Sequence, residues 1–518
     1  MTHRFRAAVL CIALVAVLSG CASIRADWHA EPSSAFSAAA DTRLGKTFAP
    51  HQAAHPGQSG LRLINNGVSA LMTRSAMADA AEHAIDLQTY IFETDATGCF
   101  VLQRLFAAAG RGVRVRILVD DYVRGMSDAL LQWLDAHPHI EVRVFNPYPG
   151  RADWTRNMQM LFDLARLGQR MHNKMLLVDG QVGVLGGRNI GNHYFEAEGE
   201  SNFRDIDVFA AGPVVRQAGG NYDRYWNSVI VVPVAAFPPA PPVTLDEACP
   251  PGGTEAGPEV EYRARGAEYR QRVSTNEGLV WARATAVAEA PVRAATAHSI
   301  TPSAIALAHA RARRNTQREM LLAVAYFVPG RQGVEVLGGL KQRGVRVRVL
   351  TNSLASTDVV AVHSGYARYR EALLARGVEL HEYFPDSARP VPGGHRMRLG
   401  TSSSTLHAKV AVYDRHLLWI GSANFDARSS RINTETGVMI ESAELAGRIA
   451  QSLERDLSPA QSWRLELAYD PAIAANRITW NGQRNGKMLT TPVEPGASLW
   501  RHLQTGIFSL IPGLEDLL

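Results

Sequence analysis

The residues best able to do chemistry occur twice. Met171-His172-Asn173-Lys174-Met175-Leu176-Leu177-Val178-Asp179 recurs as Leu406-His407-Ala408-Lys409-Val410-Ala411-Val412-Tyr413-Asp414, 235 positions later. Both copies read His-x-Lys-x4-Asp. In a strand, His and Lys two apart project on one face, and the apolar run beside them anchors the strand in a core. Imidazole titrates near neutrality, so two histidines can divide the work of nucleophile and general acid/base. Of the 54 basic residues only five are lysines (Lys46, Lys174, Lys341, Lys409, Lys487), and two of the five sit in this motif. A lysine is a compact point donor where an arginine is wide and planar. Two such ammonium groups suit a phosphoryl group whose oxygens gather charge in a transition state. One His-x-Lys pair alone would be an ordinary surface pair. Here each copy is followed by a return run, Gly186-Gly187-Arg188-Asn189 and Gly421-Ser422-Ala423-Asn424, with each Asn 17 residues after its His. Glycine lets backbone approach a ligand closely. Asn189 and Asn424 are candidate phosphate donors. Ser422 supplies a hydroxyl where the first copy has Gly187, so phosphate is expected to be held unevenly.

Such pairs need elements to position them. In the first half a strand-like run, Ile85–Phe92, ends Tyr90-Ile91-Phe92; a helical stretch through Leu105 and then Gly112-Val113-Arg114-Val115-Arg116-Ile117-Leu118-Val119 follow. In the second, Met320–Phe327 ends Tyr326-Phe327, and a helical stretch through Leu340 leads to Gly344-Val345-Arg346-Val347-Arg348-Val349-Leu350. Strands alternating with helical patterns predict α/β layering, and the repeat predicts two similar lobes. Asp179-Gly180 is a hairpin signal. Phe237–Pro258, with seven prolines and three glycines, interrupts both helix and sheet. The expected division is a first lobe over 59–237, a linker over 238–266, a second lobe over 267–470 and an extension over 471–518. The arginines of 111–116 are expected on the solvated face of a strand, and those of 311–318 on a helix surface. The tail from Gly496 carries Leu499, Trp500, Leu503, Ile507, Phe508, Leu510 and Ile511 at roughly helical spacing. Packing of that tail on the body is expected, with contact to a bilayer interface as the alternative.

A chain of 518 residues is long enough for two to four domains. With 46% hydrophobic and 20% charged residues it is neither disordered nor collagenous nor a multi-span membrane protein. A net charge of +5 is too balanced for a nucleic-acid binder, so none is expected as a partner. Four cysteines exclude a disulfide-framed fold. Cys99 and Cys249 are expected as unpaired thiols, with pairing in an oxidising compartment the alternative. At the N-terminus, Arg4 and Arg6 precede the apolar run Ala7–Leu18 and then Leu18-Ser19-Gly20-Cys21. The run is too short to span ~30 Å of hydrocarbon and has the layout of a secretory signal over 1–20. Its end resembles a bacterial lipobox. That implies cleavage before Cys21, lipidation there, and, with Ala22 following, residence on the periplasmic side of the outer membrane. Residues 21–58 are expected to form a flexible tether reaching about 30 Å.

The double motif resembles that of the phospholipase D superfamily. Gly186–Phe195 and Ile420–Ser429 resemble the bacterial cardiolipin synthase branch, the C-type in particular, and the similarity covers most of residues 60–518. The resemblance implies two lobes, each a mixed sheet flanked by helices, related by a pseudo-twofold axis with the site between them. It further implies a phosphohistidine intermediate, with no metal or other cofactor. His172 corresponds to the nucleophile and His407 to the acid/base; Lys174, Lys409, Asn189 and Asn424 bind phosphate; Glu435 and its first-half counterpart Asp205 orient the histidines. Asp179 and Asp414 complete the catalytic motifs and read as structural. The implied activity is phosphatidyl transfer among anionic and zwitterionic glycerophospholipids at a membrane surface. Hydrolysis by the same fold, of lipid or less plausibly of nucleic acid, remains open, because water and an alcohol share the first half-reaction. A lipid-binding lipoprotein with a dead site is disfavoured by the presence of both His-Lys pairs. No protein partner is implied.

Overall fold

Gly112 and Gly344, at φ 90° and 83°, are left-handed residues that end one helix in each half and launch the two Val-Arg-Val-Arg strands. The computed structural model describes residues 23–511 and Gly513, except 26, 124, 152–158, 160–162, 198–200, 251–256, 293–302, 386–402 and 472–473. The signal segment and Cys21 lie outside the described residues.

The first lobe contains β1 (Ser59–Ile64), β2 (Ala84–Thr89), β3 (Arg114–Asp120), β4 (Ile140–Phe145), β5 (Met175–Val178), β6 (Val182–Gly186), β7 (Ser201–Arg204), β8 (Asp207–Ala211) and β9 (Val231–Pro233). Strands β2, β3 and β4 are parallel, and β5 lies antiparallel to β2 and leads through β6 to β8. The second lobe repeats this. After β10 (Val280–Ala288), strands β11 (Glu319–Val324), β12 (Arg346–Asn352) and β13 (Glu379–Tyr383) are parallel. Following β14 (Ser403–Leu406), strands β15 (Lys409–Tyr413), β16 (Leu417–Gly421) and β17 (Thr436–Glu441) are antiparallel, with β15 beside β11. The edge is extended by β18 (Ser462–Asp470), β19 (Ala475–Arg484) and β20 (Lys487–Thr491). Strand β10 joins the lobes. Its first residues pair with β1, and Arg283–Ala288 pair with β17, giving one 18-stranded sheet. Apolar residues of both lobes, Met175 and Val208 with Val410 and Ile440, share a single buried cluster. Among the described residues no helix is long and apolar enough to cross a membrane.

Several expectations need correction. From Ser23 onward the described tether residues are a strap seated on the first lobe. Ile24 N–H donates to Pro149 O at 3.0 Å, Arg116 donates to Ser33 O at 3.0 Å, and Arg143 to Glu31 O at 2.7 Å. Its helix, Arg43–Ala54, buries Leu44 and Phe48, one turn apart, too short an apolar pattern to stand out in the sequence. Arg116 is therefore not on a solvated face: it is fully buried between Asp86 (2.6 Å) and Asp223 (2.8 Å), over the rings of Tyr222 and Trp226. Arg348 is likewise buried, 2.7 Å from Glu319. The strap and the helix Pro213–Trp226 cover Arg116, and paired carboxylates offset the desolvation of both guanidinium groups.

The linker is fastened to the first lobe. Cys249 forms a disulfide with Cys99 rather than remaining a thiol. The helix Pro258–Val273 buries Tyr262, Gly266, Tyr269 and Val273, a helical stripe that packs on the helix Gly67–Ala80 through Tyr262–Asp79 (2.6 Å) and Tyr269–Ser69 (2.9 Å). Residues 267–273, expected in the second lobe, thus pack on the first.

Candidate active site

Each motif enters its strand through a clamp. At the end of β3, Asp120 accepts from Met171 N–H at 2.8 Å. At the same point of β12, Asn352 bonds both Leu406 N–H (3.0 Å) and Leu406 C=O (2.8 Å). Asp120 and Asn352 lie eight residues after Gly112 and Gly344. They hold the residue preceding each histidine, and only the matched repeat carries their signal in the sequence.

The histidine backbones pair with the opposite lobe. His172 N–H donates to Thr434 O at 2.9 Å, and His407 N–H donates to Arg204 O at 2.8 Å, continuing the parallel β7–β14 ribbon. The residues after Thr434 and Arg204 are Glu435 and Asp205, so the carboxylates are exchanged between lobes. His172 Nδ1 lies 2.9 Å from Glu435 Oε2, and His407 Nδ1 lies 2.6 Å from Asp205 Oδ2. Asp205 therefore serves the second-half histidine, not the first. With Nδ1 engaged by a carboxylate, each imidazole keeps Nε2 for chemistry.

Lys174 and Lys409 are 2% exposed; Lys174 Nζ donates to His172 O at 2.6 Å, and Lys409 Nζ lies 3.0 Å from His407 Nδ1 and also donates to His407 O. Burial holds both ammonium groups below the usual lysine range. Burial, then the charges of Lys174, Lys409 and Arg428, holds His172 well below its ordinary value. Burial and then Lys409 bring His407 down to about 4. Burial is also the largest influence on Asp205, pushing it up, but the hydrogen bond and charge of His407 and the charge of Lys409 leave it lowered overall. Burial raises Glu435 to about 7. Burial and the neighbouring cations thus favour the neutral form of both imidazoles, and Lys174, Lys409 and Arg428 around them suit an anionic ligand.

Asn189 and Asn424 flank the site symmetrically. Their carboxamide oxygens accept from Ile91 N–H (3.2 Å) and Tyr326 N–H (3.4 Å) at the ends of the repeated Tyr-Ile-Phe and Tyr-Phe runs, which leaves each NH2 to donate elsewhere. Ser422 has a different place from the one expected. Its hydroxyl donates to Glu435 Oε2 and accepts from Thr436 N–H at 3.0 Å, so it braces the carboxylate behind His172. The first half cannot copy this: a Cβ on Gly187 would stand 2.8 Å from both oxygens of Asp205. The shorter Asp approaches the backbone, and glycine makes room for it.

Asp179 and Asp414 lie at the far ends of β5 and β15, away from the histidines. Each accepts from three consecutive backbone N–H groups, Glu82, His83 and Ala84 (2.8–2.9 Å) in one lobe and Gln317, Arg318 and Glu319 (2.8–2.9 Å) in the other. They fasten the strands and touch neither imidazole. Sequence reasoning missed the aromatic frame. Tyr90 meets His172 edge-on at 5.0 Å, Tyr194 meets His407 edge-on at 5.3 Å, and Phe203 stacks on His407 at 5.1 Å. Arg428, whose Nη2 donates to Gly168 O at 3.1 Å, crosses from the second lobe to the His172 side.

Known proteins resemble this chain. The family described as "Cardiolipin synthase, PLD-like domain" matches residues 75–226 and 311–457, the two lobes in turn. The chain belongs to this family, within the phospholipase D superfamily. It is 36% identical over 483 residues to cardiolipin synthase C of Escherichia coli, covering 91% of this chain and 98% of that protein. It is 25% identical over 416 residues to cardiolipin synthase B of the same organism, covering 78% and 84%. The crystal structure of phosphatidylserine synthase from Haemophilus influenzae covers 91% of this chain and 100% of its own at a TM-score of 0.52 and 11% identity, a likeness of fold.

Proposed function

We propose that the protein transfers phosphatidyl groups between membrane glycerophospholipids, anionic and zwitterionic, as a cardiolipin synthase does. One observation carries the reading: two histidines, each held at Nδ1 by a carboxylate of the other lobe, stand beside two buried lysines. Such a cluster stabilises a phosphodiester anion and its transition state.

His172 Nε2 attacks the donor phosphorus, and the P–O bond to the leaving alcohol breaks. His407 gives its Nε2 proton to the departing alkoxide. The bound anion offsets the positive charge of Lys409, which raises the proton affinity of His407 and loads the acid only in the complex. His407 then takes the proton of an acceptor hydroxyl, whose oxygen displaces His172 from phosphorus. Glu435 supports the cationic phosphohistidine, and the amides of Asn189 and Asn424 and the two lysines hold the phosphoryl oxygens.

For localisation the reading is export, lipidation at Cys21 and residence on the periplasmic side of the outer membrane. The Cys99–Cys249 disulfide supports an oxidising compartment. The test is to incubate purified full-length protein with defined phospholipids, with and without an alcohol acceptor, and to identify products by mass spectrometry. Cardiolipin or another transphosphatidylated lipid is expected; phosphatidic acid alone would make the protein a hydrolase.

A further inference from the structure

The helix Leu499–Ser509 docks by its polar side. Arg501 Nη1 donates to Leu354 O (2.6 Å) and Thr357 O (2.8 Å), Ser364 donates to Thr505 O (3.1 Å), and Arg368 donates to Ser509 O (2.6 Å). Its apolar side faces outward. Leu499 is 89% exposed, Trp500 62%, Leu503 54%, Ile507 52% and Leu510 81%, a stripe of helical spacing. The helix contains one Arg, one His and no carboxylate.

The turn that Arg501 grips belongs to the wall of the active site. Thr405, two residues before His407, donates to Ser356 O at 2.8 Å. Asp358 accepts from Tyr326 OH at 2.7 Å, and Tyr326 N–H bonds Asn424. The reactive histidines are only 9% and 6% exposed, so a lipid phosphate has to leave the bilayer surface to reach them.

We propose that this helix is an interfacial foot: its apolar stripe lies in the surface of a phospholipid bilayer and seats the mouth of the site on its substrate. The proposal rests on the reading of the substrate as a membrane lipid. A contiguous apolar stripe without acidic charge, fixed by hydrogen bonds with its greasy side outward, matches a bilayer interface. The tail packs on the body as expected, but by its polar side, which leaves the apolar stripe for the alternative, the bilayer interface.

The test uses full-length lipidated protein on vesicles of phosphatidylglycerol and phosphatidylethanolamine. A nitroxide on Leu503→Cys is expected to be accessible to oxygen and shielded from a water-soluble nickel complex. The combined variant Leu499→Ser, Trp500→Ser, Leu503→Ser, Ile507→Ser is expected to lose at least tenfold in rate on vesicle lipid while staying within twofold of wild type on monomeric dihexanoyl phosphatidylglycerol. A nitroxide exposed to nickel on vesicles overturns the proposal, as does a variant unchanged on vesicle lipid. Shielding that depends on protein concentration without vesicles also overturns it, in favour of a second copy of the chain. If the variant loses both substrates its fold has failed, and the nitroxide decides. Wild-type protein inactive on both lipid forms contradicts the transferase reading instead.

Discussion

His172 and Glu435 are 263 residues apart in the chain and 2.9 Å apart in space. The contact follows from the backbone: Met171 bridges to Thr434, so the carboxylate of one lobe lands behind the histidine of the other. His407 and Asp205 repeat it at 2.6 Å. Each histidine thus takes its carboxylate partner from the other lobe.

The two carboxylates are expected to fail differently. Glu435→Ala should slow formation of the covalent adduct on His172 by about 10²-fold or more, whatever the leaving group. Asp205→Ala should slow a natural phospholipid similarly but recover in the first step with a p-nitrophenyl phosphodiester, whose leaving group needs little acid help. Single-turnover rates with both donors check this; equal losses for both variants with both donors contradict it.

Gly187→Ala should act through Asp205. The added Cβ would lie 2.8 Å from both carboxylate oxygens and displace the partner of His407. The expected result is a loss of about 10²-fold on natural lipid with partial recovery on the p-nitrophenyl donor. Ser422→Ala removes a hydrogen bond to a charged group, worth about 1.5–3 kcal/mol. Its loss should fall on the His172 step and should not recover. Wild-type rates for either variant would free these residues of a positioning role.

Lys174→Arg and Lys409→Arg should each lose at least about 10²-fold in kcat/KM despite keeping charge. Both lysines sit in buried space 2% exposed, where a wider planar group displaces phosphate or imidazole. Near wild-type kcat/KM for both would make the lysines structural.

Glu435 at about 7 gives the pH dependence its sign. The ionised carboxylate supports the phosphohistidine cation, so kcat/KM should rise as pH increases through about 7. Glu435→Gln should abolish that inflection along with much of the rate. An unchanged inflection in the variant would assign the titration elsewhere.

The candidate site was legible as a cluster because the lobes repeat. His172, Lys174, His407, Lys409, Asn189 and Asn424 stand at matched spacing, and each spacing became a matched position. Less was legible where one lobe meets the other. The crossing of Asp205 and Glu435 depends on a parallel ribbon between β7 and β14 that no local pattern announces. Ser422 and Gly187 could be compared in sequence, but their roles depend on how near each carboxylate comes to the backbone. The strap over 23–58 and the buried Arg116 escaped for a related reason: a guanidinium on an alternating strand looks solvated until the segment covering it is known.

The most direct measurement is mass spectrometry of a rapidly quenched His407→Ala enzyme given a p-nitrophenyl phosphodiester. With the acid dispensable and the second-step base absent, a phosphoryl adduct should accumulate on His172 and be missing from His172→Ala. An adduct on His407 in the His172→Ala protein would reverse the two roles. No adduct on any histidine, in wild type or variants, would contradict covalent transfer and favour direct attack by the acceptor.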